Sequence, residues 1–134
     1  MTVASIFSFF SVAGFLDLGF ENAGYNVCLV NEYYEPFIDA YKHSRSVMGM
    51  EAPEYGHFGC TIEDFLSPPL SGKLASYVEA QREKGAPVGF IGGPPCPDFS
   101  VGGKNRGADG ENGKLSATYI SLVTSQKPDF FVFE

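Results

Sequence analysis

An α/β fold, with a parallel sheet of about five strands and helices on both faces, is what this 134-residue sequence predicts. Short apolar runs alternate with helix-like stretches at close spacing, the pattern of successive βαβ units. Hydrophobic residues make up 44% and aromatics 15% of the chain, the composition of a folded domain rather than a disordered one. Glycines and prolines fall between the runs and punctuate them.

The elements follow in order. Ala4 to Phe10 is an apolar run that reads as a first, buried strand, with a turn at Val12 to Gly14. Leu16 to Ala23 has amphipathic helical spacing and is stopped by Gly24. Asn26 to Val30 is a second strand, and Glu35 to His43 a second helix with Pro36 in its first turn. Turn-forming residues from Pro53 to His57 precede a weak third strand near Phe58. Leu74 to Lys84 is helical and Gly85 ends it; Val88 to Ile91 is a short fourth strand running into Gly92-Gly93-Pro94-Pro95-Cys96. From Pro97 to Gly113 the chain is Gly-rich and polar, long enough for a functional loop. Leu115 to Ser125 is a further helix and Asp129 to Phe133 a fifth strand. All of residues 1–134 read as one domain, without repeat or linker.

Composition excludes several classes. No apolar run approaches the roughly 20 residues that cross a bilayer, and the N-terminus lacks a basic signal-peptide region. Three widely separated cysteines, with no Cys-x-x-Cys pair, argue against a disulfide framework or a metal cluster and for a reducing cytoplasm. Nine Lys and Arg against sixteen Asp and Glu leave a formal charge of −7, which repels phosphate. If the chain handles nucleic acid, most of the basic surface is expected outside these residues, and the chain is expected to be incomplete.

In parallel sheets ligands sit beyond the carboxyl ends of the strands, near the switch in strand order. The unusual residues fall at those ends. After strand one, Phe10-Ser11-Val12-Ala13-Gly14 is a turn in which only Ala13 and Gly14 are small enough for close backbone approach to a nucleoside. Alone, it is an ordinary βα turn. Glu32, at the end of strand two, can hydrogen-bond both ribose hydroxyls of a nucleoside cofactor, or simply be solvated. Cys96 sits between prolines that remove backbone donors and fix φ, a poor way to pack a core thiol and a plausible way to present one. Cys28, within strand two, reads as packing, and Cys60 as more structural than chemical. Beyond Cys96, the glycines from Gly102 permit hinge motion, and Lys104 with Arg106 could meet phosphates on closure.

Gly93-Pro94-Pro95-Cys96-Pro97-Asp98-Phe99-Ser100 resembles the Pro-Cys-Gln-x-Phe-Ser motif of DNA cytosine-C5 methyltransferases, with Pro97 at the Gln position. Phe10 to Phe20 is similar to that family's opening Phe-x-Gly-x-Gly-Gly cofactor motif, with Val12 and Phe15 at two of the glycines and Ser8 at the leading Asp. Asn31-Glu32-Tyr33 corresponds to its acidic ribose-binding step, and Lys127 to Glu134 resembles the strand leading into its Glu-Asn-Val. The resemblance runs in order over essentially the whole chain.

What the resemblance implies is a Rossmann-like S-adenosylmethionine-dependent methyltransferase fold, incomplete at the C-terminus, acting in DNA methylation within restriction-modification. Cys96 would be the nucleophile that adds to cytosine C6 as a thiolate, making C5 nucleophilic toward the sulfonium methyl. Glu134, its carboxyl kept protonated by burial, would stabilise the adduct at N3. The base would be flipped from the duplex. S-adenosylmethionine would be held by Phe10, Ser11, Ala13, Gly14, Glu32, Tyr33, Gly93, Pro95 and Leu115. The acidic reader of the adenine amine would align near Cys60, with Asp64 as a nearby substitute. Ser100, Gly102, Lys104 and Arg106 would form the substrate loop. Duplex DNA would be engaged through an absent recognition region, and self-association or a partner chain would supply the C-terminal part. A tRNA cytosine methyltransferase of the same family, a non-catalytic or split-enzyme subunit, and a cysteine hydrolase using His43 or His57 are the alternatives.

Overall fold

The computed structural model describes residues 3–95 and 111–134. Five strands, β1 (Ser5–Phe9), β2 (Asn26–Asn31), β3 (His57–Phe58), β4 (Val88–Gly92) and β5 (Phe130–Phe133), form one sheet in the order β3-β2-β1-β4-β5. Every pairing is parallel. The chain winds outward from β1 through β2 to β3, then crosses to β4 on the other side of β1. The switch point therefore lies between the carboxyl ends of β1 and β4. Helices α1 (Phe15–Asn22), α2 (Glu35–Val47), α3 (Leu70–Glu83) and α4 (Glu111–Gln126) cover the sheet, with a 3-10 helix at Ile62–Leu66.

All five residues of β1 are buried, as expected of a central parallel strand whose side chains alternate into two cores. On one face Phe7 and Phe9 join Leu29, Phe90, the 3-10 residue Phe65 and the inward residues of α3 and α4, Leu74, Val78, Tyr119 and Leu122. Aromatic rings dominate there: Phe9 meets Phe65 edge-on at 5.7 Å and Phe90 at 5.1 Å. On the other face Ile6, Val27, Val30 and Ile91 pack with Tyr41 of α2 and Leu16 and Phe20 of α1. Each fully buried large side chain contributes about 1.5–3 kcal/mol of transfer free energy. The polar members of β1 are paired: the Ser5 hydroxyl donates to Gln81 Oε1 at 2.7 Å and the Ser8 hydroxyl to Asp17 Oδ1 at 2.7 Å.

The α/β architecture and all five strands stand where the sequence places them, but three helices are longer. Helix α2 runs on to Val47 rather than His43, because Arg45 is buried and its guanidinium is bound in the interior. Helix α3 begins at Leu70 rather than Leu74, and α4 at Glu111 rather than Leu115. In both, a glycine in the first turn (Gly72, Gly113) lowers helical propensity without breaking a helix that tertiary packing supports. The 3-10 helix carries no strong periodicity and is not foreseen.

Candidate functional site

A cleft of about 560 Å³ opens at the carboxyl edge of the sheet. Phe10 and Val12 reach it from the end of β1, Asn31 to Tyr34 from the end of β2, and Gly93 and Pro95 from the end of β4. Cys60 to Glu63 close a third side, and Lys114 and Leu115 of α4 a fourth. The convergence follows from topology, since parallel strands deliver their successors to one edge.

Glu32 is the polar centre of this cleft. Only 9% exposed, its Oε1 accepts the Val12 amide at 3.0 Å and its Oε2 accepts the Tyr34 amide at 2.8 Å. Each carboxylate oxygen keeps a second lone pair, so the group can still accept two hydroxyls from a ligand. Asn31 organises the opposite wall: its amide donates to the carbonyls of Phe58 and Cys60, both at 2.9 Å, fixing the bend from β3 into the 3-10 helix. Tyr33 and Tyr34 stand exposed at the rim, with Phe37 packed edge-on against Tyr34 at 4.9 Å. Burial, reinforced by Asp64, pushes the Cys60 thiol up, so it stays neutral.

The turn after β1 is conformationally unusual. Phe10 and Val12 hold φ of +52° and +53°, a region unfavourable for non-glycine residues and most of all for a β-branched one. Gly14 follows at φ +94°. Beneath the turn lies a buried polar network. Arg45 donates through Nη2 to the Gly14 carbonyl at 2.9 Å and to Glu21 Oε1 at 2.7 Å, and through Nη1 to the Ala13 carbonyl at 3.3 Å. Its guanidinium stacks 4.0 Å from the centre of the Tyr41 ring, whose hydroxyl donates to Asp17 Oδ2 at 2.6 Å. Burial pushes the Asp17 carboxyl up, against the opposing effects of these hydroxyl donors and Arg45.

Of the residues singled out from the sequence, Phe10, Glu32, Tyr33, Gly93, Pro95 and Leu115 line the cleft. Ser11, Ala13 and Gly14 do not; they shape the turn behind it, and Ser11 is buried. Asp64 is also off the lining, which its neighbour Glu63 joins instead. Glu134 donates its amide to the Gly92 carbonyl at 3.0 Å, and its carboxylate lies beside Gly93, so it is close to the cleft. It is exposed, however, and the expected burial is not supplied by the described residues. Cys96, Ser100, Gly102, Lys104 and Arg106 lie outside the described residues. Neither histidine borders the cleft: His43 is exposed on α2, and His57 lines a separate, smaller cleft with Lys42 and Arg45. A cysteine-hydrolase base is therefore not offered by the described cleft lining. Among the described residues no helix is long and apolar enough to cross a membrane.

Val12, which the resemblance puts in the cofactor motif, does line the cleft, whereas the wall-forming roles of Asn31, Glu63 and Lys114 and the Arg45 network were not foreseen. A polar Asn closing an apolar strand is a recoverable signal; a buried Arg within the polar run Lys42 to Ser46 is not.

Comparison with known proteins gives two findings. Residues 72–134 match the family described as C-5 cytosine-specific DNA methylase. The chain is similar to the Type II methyltransferase M.NmeDI of Neisseria meningitidis serogroup C, with 56% identity over 129 residues, covering 96% of this chain and 31% of that protein. Type II methyltransferase M.MthTI of Methanothermobacter thermautotrophicus is 34% identical over 129 residues, covering 96% of this chain and 32% of its own. DNA (cytosine-5-)-methyltransferase M.ApeKI of Aeropyrum pernix is 31% identical over 147 aligned positions, covering 100% and 29% respectively. The chain thus spans about a third of the length of the curated relatives it matches.

Proposed function

We propose that the chain belongs to the C-5 cytosine-specific DNA methylase family and is the cofactor-binding and nucleophile-bearing part of an S-adenosylmethionine-dependent DNA cytosine-C5 methyltransferase. The observation that carries the reading is the cleft in which Glu32 faces the strand end that leads, through Gly93 and Pro95, directly into Cys96.

The lining fits S-adenosylmethionine. A nucleoside needs a paired hydroxyl acceptor and apolar walls for its base, which Glu32, Ile62 and Phe10 provide. Two carboxylates, Glu32 and Glu63, against one lysine, Lys114, favour a cationic ligand. Bound there, the cofactor supplies an electrophilic methyl group.

The chain's own residues do the rest. Cytosine C5 is too weak a nucleophile unaided. Addition of the Cys96 thiolate at C6 makes the ring an enamine with a nucleophilic C5. A carboxylic acid at N3 would take up the charge of the adduct, the role of Glu134 once further structure buries it. With C5 methylated, its proton passes to solvent, the C5–C6 double bond re-forms and the C6–S bond breaks to release the Cys96 thiolate. The target base must leave the helix stack to reach the thiol. Duplex DNA is the proposed substrate and restriction-modification the proposed setting, because the relatives carry Type II and DNA (cytosine-5-)-methyltransferase names. With a chain charge of −7, contacts to phosphate are assigned to other parts of a complete enzyme.

The test joins this chain to the remaining two thirds of its Neisseria meningitidis relative and offers duplex DNA containing 5-fluorocytosine. A denaturation-resistant adduct that disappears in Cys96→Ser is expected. An adduct that survives Cys96→Ser removes the assigned nucleophile, and none with the unaltered chain removes the activity.

A further inference from the structure

We propose that Arg45 is a positioning residue for the nucleoside cofactor, clamping the turn after β1 in a left-handed path that its side chains would otherwise leave. The inference rests on reading the cleft as an S-adenosylmethionine site. It concerns a residue on α2 that does not line the cofactor cleft.

Three observations carry it. First, the turn is held in an unfavourable shape. Phe10 and Val12 both sit in the left-handed region, where a non-glycine residue costs on the order of ten-fold or more in population. Such strain persists only where the surroundings over-determine it, and it gathers at ligand sites. Second, the surroundings that over-determine it are identifiable. Glu32 takes the Val12 amide from the cleft side, while the guanidinium of Arg45 takes the Ala13 and Gly14 carbonyls from the core side. The turn is gripped at three consecutive residues by two side chains of opposite charge. Val12 is the only one of the three that lines the cleft. Third, the grip is maintained at a cost. Arg45 is 7% exposed and its Nε is a buried polar atom without a hydrogen-bond partner. Its charge is met by Glu21 and by the Tyr41 ring, and Tyr41 is in turn fixed by Asp17. A cation needed only to join α1 to α2 could stay at the surface with Glu21. Here it is drawn inward onto two backbone carbonyls of the turn.

The consequence is preorganisation. With the clamp in place, the turn presents the Val12 face and Glu32 in fixed relation, and a ligand does not have to order them. Without it, Val12 relaxes toward negative φ, its amide leaves Glu32, and the carboxylate keeps only its bond from the Tyr34 amide. Cofactor affinity then falls although no atom that touches the cofactor has changed.

The test measures the dissociation constant of S-adenosylmethionine by calorimetry for the unaltered chain, Arg45→Met, Arg45→Lys and Arg45→Met combined with Val12→Gly. Each is measured at a temperature where circular dichroism shows it folded. Arg45→Met is expected to bind about ten-fold more weakly or worse, and Arg45→Lys to fall between, since an ammonium cannot span both carbonyls and Glu21 together. Val12→Gly, which tolerates positive φ without strain, is expected to restore part of the loss in the Arg45→Met background. A merely structural Arg45 would lower the unfolding midpoint while leaving the dissociation constant of the folded protein unchanged, and that result overturns the inference. If Arg45→Met does not fold, Arg45→Lys decides: it keeps the charge but cannot hold both turn carbonyls, and unchanged affinity there is equally fatal. Failure of the unaltered chain to bind overturns the cofactor reading itself, which separates the two outcomes.

Discussion

Replacing Gly14 by alanine tests whether the turn after β1 is built as described. At φ +94°, a Cβ on Gly14 would stand 2.5 Å from Arg45 Nη1 and 2.6 and 2.7 Å from two carbons of the Tyr41 ring. Tyr41 is 1% exposed and tied to Asp17, so its ring cannot swing away. Two costs add. Left-handed backbone in a residue with a Cβ costs about 1–2 kcal/mol. Overpacking a closed site costs about 1–3 kcal/mol more. Gly14→Ala should therefore lose about 2–5 kcal/mol of unfolding free energy, the sum of these two terms. Gly24 supplies the control. Its φ is +93°, almost the same, yet nothing lies within 4 Å of its added Cβ. Gly24→Ala should cost only the backbone part, about 1–2 kcal/mol. Urea unfolding followed by circular dichroism reads both. Against the about 5–15 kcal/mol of stability of a domain of this size, the loss at Gly14 is a large fraction and that at Gly24 a small one. Equal losses at the two glycines would refute the reasoning, because they would mean that no ring and guanidinium pack beneath Gly14.

Other consequences concern titration and thiol chemistry. Burial, with Lys42 and Arg45 nearby, holds the His57 pKa below its usual 6.5, so the unfolded chain takes up this proton first as pH falls. The stability His57 contributes is present above the unfolded value and lost as pH drops through the folded one. Unfolding midpoints between about pH 7.5 and about pH 5 should thus fall more for the unaltered chain than for His57→Gln, and parallel declines would contradict the assignment. Cys28 donates to the Ile6 carbonyl at 3.3 Å, and burial pushes its thiol up to about 12. A thiol-disulfide reagent near neutral pH should leave Cys28 unmodified in the folded chain and label it on unfolding, as peptide mass mapping would show.

Much of the fold was legible because its signals are local. Apolar strands such as Val27 to Val30 and the stops at Gly24 and Gly85 need no tertiary information. The meeting of Glu32, Gly93 and Pro95 in one cleft was legible because parallel topology sends every strand end to one edge. What stayed hidden depends on packing. Arg45 lies in a run of polar residues that reads as a solvated helix face, and only the turn that it meets draws it inward. Glu63 rather than Asp64 faces the cleft because a 3-10 helix rotates its side chains by a third of a turn per residue, which no acidic-residue count reveals. Burial of Glu134 was inferred from its role, yet edge strand β5 leaves it exposed within the described residues. Length errors at α3 and α4 share a cause: a glycine near the N-terminus weakened the local signal while the core retained the helix.

Calorimetric titration with S-adenosylmethionine, alongside Glu32→Gln, reads out whether the cleft around Glu32 is the cofactor site. One site per chain is expected for the unaltered protein, and binding at least ten-fold weaker for Glu32→Gln, the scale of one lost charge-assisted hydrogen bond of about 1.5–3 kcal/mol. A folded chain that gives no heat with S-adenosylmethionine, or one whose affinity is untouched by Glu32→Gln, would contradict that assignment.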